Sequence, residues 1–102
     1  SALTALVASI SREVAAHNVT INNLQPGIFE TDRMLIGLKG AAKATGRTVE
    51  DTRAGMLSNI PAGRFGDPEE FGHACAFLCS SYSGFITGQN LLLDGGHFPG
   101  AF

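Results

Sequence analysis

The chain has 102 residues, 44% of them hydrophobic and 16% charged, the composition of one ordinary globular domain or part of one. Its net charge is -2 and its lysines and arginines are scattered, which excludes the basic footprint of a nucleic-acid or membrane-surface binder. No apolar run approaches the roughly 18 residues of a membrane span, and polar Thr4, Ser9 and Ser11 break up the first residues, so no membrane segment or signal peptide is expected.

The first element reads as a helix. Leu3, Leu6, Val7, Ile10 and Val14 recur at helical spacing and form one apolar stripe, with Arg12 and Glu13 off it. No N-cap is expected ahead of that stripe, so the helix reads as cut rather than begun. His17-Asn18 is a stop, because asparagine tolerates the left-handed conformation at a helix end. Val19 to Leu24 then reads as a buried strand ending at a Pro26-Gly27 turn, with Thr31 just beyond. An open parallel sheet builds its ligand crevice in this way, at the carboxyl edge of its strands. Asn22 and Asn23 sit inside that strand and require hydrogen-bond partners, since unpaired buried amides are costly.

Residues 32–60 form a long, weakly patterned helical excursion. Met34, Leu35, Ile36 and Leu38 are nearly continuous, Gly46 closes the first piece, and Thr48 caps a short second helix with Asp51 at its third position. A segment of this length between regular elements is often a lid or binding loop. Asp67-Pro68-Glu69-Glu70 is a strong helix start, and Phe71, Ala74, Cys75 and Leu78 give that helix an apolar face. Ser80 to Gly84 is a turn. Gln89 to Leu93 reads as a second buried strand, ended by Asp94-Gly95-Gly96 and followed by a tail over 97–102.

Strand, crossover helix and strand make a βαβ unit with parallel strands. A parallel sheet needs cover on both faces and is rarely two strands wide. The Val19 strand would carry a bare edge, so the chain is expected to be a piece of a larger doubly wound α/β domain.

Four blocks, in this order and spacing, resemble the short-chain dehydrogenases/reductases over Ser1 to about Gly96. They are Ala2-Leu3-Thr4 with Ser11-Arg12-Glu13; Val19-Thr20-Ile21-Asn22 with Pro26-Gly27 and Thr31; Ile60-Pro61 with Gly63 to Glu70; and Ile86 to Gln89 with Asp94-Gly95-Gly96. The resemblance looks closest to the 3-oxoacyl-carrier-protein-reductase-like branch. It implies the carboxyl-terminal portion, residues 1–102, of a single Rossmann-type domain. It further implies hydride transfer between NAD or NADP and a small carbonyl or alcohol substrate.

Position by position the resemblance implies cofactor contacts at Pro26, Gly27, Ile28 and Thr31. The Pro26-Gly27 turn would pass near the nicotinamide, the Ile28 backbone would meet its carboxamide, and the Thr31 hydroxyl would hold carboxamide or pyrophosphate. Residues 32–60 match the family's variable substrate loop, with Met34, Leu35, Leu38 and Met56 as candidate lining residues. No catalytic residue is assigned. The phosphate loop, the catalytic Asn and Ser and the Tyr-x-x-x-Lys pair are absent, and the lysine would fall immediately before Ser1. Tyr82 has no lysine four residues on and is not that tyrosine. The isolated chain is therefore expected to be inactive.

Structural explanations stand beside these. Thr31 is equally well placed as a helix cap, and Met34 to Leu38 as core. Cys75 and Cys79 share a helix face, yet buried small hydrophobes are favoured over a metal pair, and no metal is assigned. Arg64 reads as a structural ion-pair partner of Glu69 or Glu70. The two cysteines fit reduced thiols in a cytoplasmic setting. The alternative to an enzyme piece is a non-catalytic assembly module that pairs through its first helix and strands. By the resemblance the partners would be further copies, as dimer or tetramer, or the missing amino-terminal portion.

Overall fold

A computed structural model describes residues 1–100; Ala101 and Phe102, the end of the expected tail, lie outside the described residues. The elements run α1 (Ala2–Val14), β1 (Asn23–Pro26), α2 (Asp32–Thr45), α3 (Val49–Leu57), α4 (Pro68–Leu78) and β2 (Asn90–Leu93), with 3-10 turns at Ala15–His17 and Ser81–Ser83. They form an α/β structure in which β1 and β2 pair in one sheet. Asn23 N–H donates to the Gln89 carbonyl at 2.8 Å and Gly27 N–H to the Leu93 carbonyl at 2.8 Å, so both strands advance together and are parallel. The chain divides into two compact units, one of 1–25 with 69–92 and one of 26–68 with 93 onward.

In the first unit α1 opens at Ser1, whose hydroxyl accepts from Thr4 N–H at 3.2 Å. The expectation of an uncapped start is thereby corrected. Asn18 takes the left-handed conformation, φ 59°, as its place after His17 implies. The apolar stripe is only half covered: Val7 is buried, whereas Leu3 and Leu6 are 61% and 54% exposed. Buried beside Val7 is Ser11, its hydroxyl donating back to the Ala8 carbonyl at 2.7 Å.

The first strand begins later than its apolar pattern indicates and runs through Pro26. Asn22 explains the late start. Gly88 N–H reaches the Ile21 carbonyl, but the register then advances by one residue before Asn23 pairs with Gln89. The N–H left over, that of Gln89, donates to Asn22 Oδ1 at 3.0 Å, and Asn22 Nδ2 donates to the Ile86 carbonyl at 3.1 Å. A side chain thus replaces a rung of backbone ladder. Asn23 donates to Asn90 Oδ1 at 2.8 Å, and Asn90 reaches Thr4 Oγ1 at 3.4 Å. The polar pair has the partners its position demands.

Helix α4 starts at Pro68 with Glu69 and Glu70 in its first turn. Its apolar face is half-covered, and Cys75 and Cys79 are both free and exposed, not the buried hydrophobes their composition favours. Ser83, which the pattern does not single out, is fully buried and donates to the Leu78 carbonyl at 2.8 Å.

In the second unit the excursion resolves into two capped helices. Thr31 Oγ1 accepts from Met34 N–H at 3.2 Å and Thr48 Oγ1 from Asp51 N–H at 3.0 Å, while Gly46 ends α2 at φ 67°. Leu38 and Ala42 of α2, with Ile60 and Phe65, supply this unit's buried apolar side chains. Among the described residues no helix is long and apolar enough to cross a membrane.

Candidate functional site

The stretch that leaves β1 lies wholly in the second unit. Gly27 N–H is tied to the Leu93 carbonyl, and a Cβ built on Gly27 would meet Asp94 Cβ at 2.6 Å and Asp94 Cα at 2.7 Å. The neighbouring strand's close approach therefore by itself requires glycine here. Beyond it, Gly66 N–H donates to the Ile28 carbonyl at 2.9 Å and Glu30 N–H to the Gly66 carbonyl at 2.8 Å, a parallel bridge centred on Phe29 and Gly66. Thr31 N–H donates to the Phe29 carbonyl at 2.9 Å, and its side chain caps α2. Pro26, Gly27, Ile28 and Thr31 are thus one short, hydrogen-bonded exit segment with a helix start at its end.

The cap interaction uses Thr31 Oγ1 as acceptor. A threonine hydroxyl also carries a donor and a second lone pair, so capping and ligand holding are compatible at this atom. Of the four loop residues singled out by sequence, Leu38 is buried at 3%, Met34 and Met56 are half-buried, and Leu35 is exposed. Leu38 is core of this unit.

Asp94 closes the turn after β2. Its carboxylate accepts from Gly96 N–H at 3.0 Å and Phe98 N–H at 2.7 Å. The Phe98 bond above all, then that of Gly96 and the nearby His97, holds its pKa below the ordinary value. A depressed folded-state pKa means that this contribution is present above the unfolded pKa and fades as pH falls through the folded one. Asp94→Asn is expected to lower the urea midpoint of the full-length protein at neutral pH and to flatten its loss below about pH 4. Parallel acid-unfolding curves for the two proteins would overturn this assignment.

Two residues of this unit were not legible as a pair. Arg53 on α3 forms an ion pair with Glu30 through Nη2 and Oε1, and its guanidinium lies 4.9 Å over the ring of buried Phe65. They are 23 positions apart, and no local pattern connects them. Beside them opens a cleft of about 410 Å³ lined by Glu30, Arg53, Leu57, Arg64, Phe65 and Asp67, among others. It shares none of the residues singled out from sequence as cofactor or substrate contacts. Arg64 donates from Nη1 to the Phe65 carbonyl at 3.1 Å.

Parallel strands joined through a crossover, with a structured segment leaving the carboxyl end of the first, define part of a doubly wound Rossmann-type α/β protein. Comparison with known proteins narrows this class. Residues 1–97 match the family model described as enoyl-(acyl carrier protein) reductase. The chain is 42% identical over 90 residues to the 3-oxoacyl-[acyl-carrier-protein] reductase FabG of Vibrio harveyi, covering 88% of this chain and 32% of that protein. The corresponding Escherichia coli K12 enzyme is 39% identical over the same shares. Among solved structures, YwfH, an NADPH-dependent reductase involved in bacilysin biosynthesis, superposes with a TM-score of 0.87 at 34% identity, covering 98% of this chain and 38% of that one. A short-chain dehydrogenase family protein from Francisella tularensis also gives 0.87, at 25% identity, covering 94% and 40%. The chain belongs to the short-chain dehydrogenase/reductase family, near the 3-oxoacyl-carrier-protein reductase branch. It spans about a third of the length of the curated relatives it matches.

Proposed function

We propose that the chain is the carboxyl-terminal part of an NAD(P)-dependent oxidoreductase that interconverts a ketone and a secondary alcohol, with 3-oxoacyl thioesters as its substrate class. The observation that carries this reading is the 42% identity to a 3-oxoacyl-carrier-protein reductase across 88% of the chain. The exit segment supports it chemically. A nicotinamide carboxamide offers one acceptor and two donors. The Ile28 carbonyl is engaged by Gly66, so the contact expected of Ile28 is a donation from its N–H. The Thr31 hydroxyl answers the remaining amide atoms, or a phosphate oxygen. The cofactor supplies the hydride; these residues bind and orient it.

In this reading the proton-transferring tyrosine and its lysine belong to the sequence ahead of Ser1, and the 102 residues alone do not turn over substrate. The exposure of Leu3, Leu6 and Phe85 supports a piece whose apolar faces are covered by the rest of its domain or by further copies in a dimer or tetramer. A cytoplasmic setting with reduced thiols goes with it.

The test uses the full-length protein with acetoacetyl and 2-enoyl thioesters, following nicotinamide absorbance with NADH and NADPH. Ketone-dependent oxidation of either cofactor is the expected result. Enoyl reduction alone, as the family model's description would have it, would replace the ketone by a carbon–carbon double bond as the acceptor. Thr31→Gly checks the cofactor contact. Glycine at a helix start costs only a few tenths of a kcal/mol, whereas losing a hydroxyl contact should weaken cofactor binding about three- to tenfold. Unchanged cofactor affinity in that variant would reduce Thr31 to a cap.

A further inference from the structure

We infer that Arg53 is a positioning residue that clamps α3 onto the exit segment and so sets where Met56 stands in the substrate-facing excursion. The inference rests on the proposed role of that excursion. Its physical basis is independent of it.

The platform beneath Arg53 is rigid. Segments 28–30 and 65–66 are joined by two backbone hydrogen bonds at the Phe29–Gly66 bridge. The Phe29 ring lies so close to Gly66 that a Cβ there would meet its edge at 2.6 Å. This platform presents two features to α3: the Glu30 carboxylate and the face of the Phe65 ring, which is 5% exposed. Arg53 engages both at once. A planar guanidinium can pair at its edge while stacking by its face, which a lysine ammonium cannot do as well.

Helix α3 also packs against α2, and Arg47 Nη2 donates to its Asp51 carbonyl at 3.1 Å, but among the described residues only Arg53 ties it to the Glu30 and Phe65 side chains. It is nine residues long and contributes no buried side chain. A helix that short is marginal by itself in water. The pair is about 40% exposed, so its worth as a source of stability is small. What it supplies is orientation. Met56 lies three residues after Arg53 on neighbouring helix surface, so a clamp at Arg53 fixes the roll that places Met56.

The experiment compares full-length wild-type protein with Arg53→Met, Arg53→Lys and Glu30→Gln. It reads amide hydrogen exchange in α3 and steady-state kinetics with acetoacetyl thioester and NADPH. Arg53→Met is expected to speed α3 exchange and raise the thioester KM about tenfold, the combined size of an exposed cation–π contact and a surface ion pair. Its kcat and its KM for NADPH should stay within about twofold, a split that general loss of folding would not produce. Lysine should restore less than half of the change, and Glu30→Gln should give a smaller change in the same direction. Wild-type exchange in Arg53→Met would overturn the clamp. A raised KM with unaltered exchange would overturn it too, since Arg53 would then act on substrate directly. Absence of any ketone turnover in the wild type would remove the functional reading, while the exchange measurement still decides the clamp.

Discussion

Gly27→Ala should destabilise the full-length protein by about 3 kcal/mol, at the upper end of what overpacking a tight site usually costs. The new methyl would stand 2.6 Å from Asp94 Cβ and 2.7 Å from Asp94 Cα, closer than such atoms approach in real structures. Neither side can retreat easily. Gly27 is held by its N–H bond to the Leu93 carbonyl, and Asp94 by the Gly96 and Phe98 N–H bonds to its carboxylate. Pairing Gly27→Ala with Asp94→Gly separates the contacts. Removing the Asp94 side chain relieves the Cβ clash but leaves the Cα clash, so the double variant should regain only part of the loss. Urea midpoints of the four proteins in the cycle measure this. A single Gly27→Ala effect below about 0.5 kcal/mol would contradict so close an approach of the two backbones.

This result would bear on more than stability. From sequence, a glycine after a strand-ending proline is equally a place where backbone meets ligand or where backbone meets backbone. The structure shows the second at Gly27, at the seam with Asp94. A cofactor contact at Gly27 would be made by its backbone, beside the contacts proposed for Pro26, Ile28 and Thr31. What was readable in the sequence here was local. Thr31, Thr48, Gly46, Asn18 and Pro68 mark helix ends because capping is decided within four residues. The family resemblance and the parallel pairing were legible too, since both rest on the order of motifs.

Tertiary placement was not. Leu3 and Leu6 carry the helical period, but periodicity says only that a face is apolar, not that this chain covers it. Cys75 and Cys79 follow the same logic and are exposed. The strand start was missed because Asn22 satisfies its neighbours with a side chain, an arrangement that alternation of apolar residues does not encode. The Arg53–Glu30–Phe65 contact joins residues from three separate segments and has no short-range signature.

The seam between Gly88 and Ser11 in the first unit carries the second large effect. Gly88→Ala is expected to cost about 2 to 4 kcal/mol, from two sources that can be separated. The first is backbone conformation. Gly88 has φ 71°, where an alanine costs roughly 1 to 2 kcal/mol whatever surrounds it. The second is space, because the added Cβ would meet Ser11 Oγ at 2.6 Å. Ser11 is buried and its hydroxyl donates to the Ala8 carbonyl, so turning it away gives up that bond. Ser11→Ala removes the clashing oxygen while leaving the φ penalty. By itself that substitution should cost about 1 kcal/mol or less, since it deletes a donor and leaves the Ala8 carbonyl its helical bonding. In the Gly88→Ala background it should instead be stabilising. That change of sign is the decisive readout, because conformational strain alone would make the two substitutions additive. The register of β2 against β1 is set at this point, where Gly88 bonds Ile21 and the ladder steps forward by one residue. A forced shift of Gly88 would therefore be felt at the next rung, where the Gln89 carbonyl accepts from Asn23 N–H. Hydrogen exchange at the Asn23 amide in Gly88→Ala, faster than in wild type, would show that strain at this step reaches the β1 ladder. An unchanged rate would confine it to the α1 side.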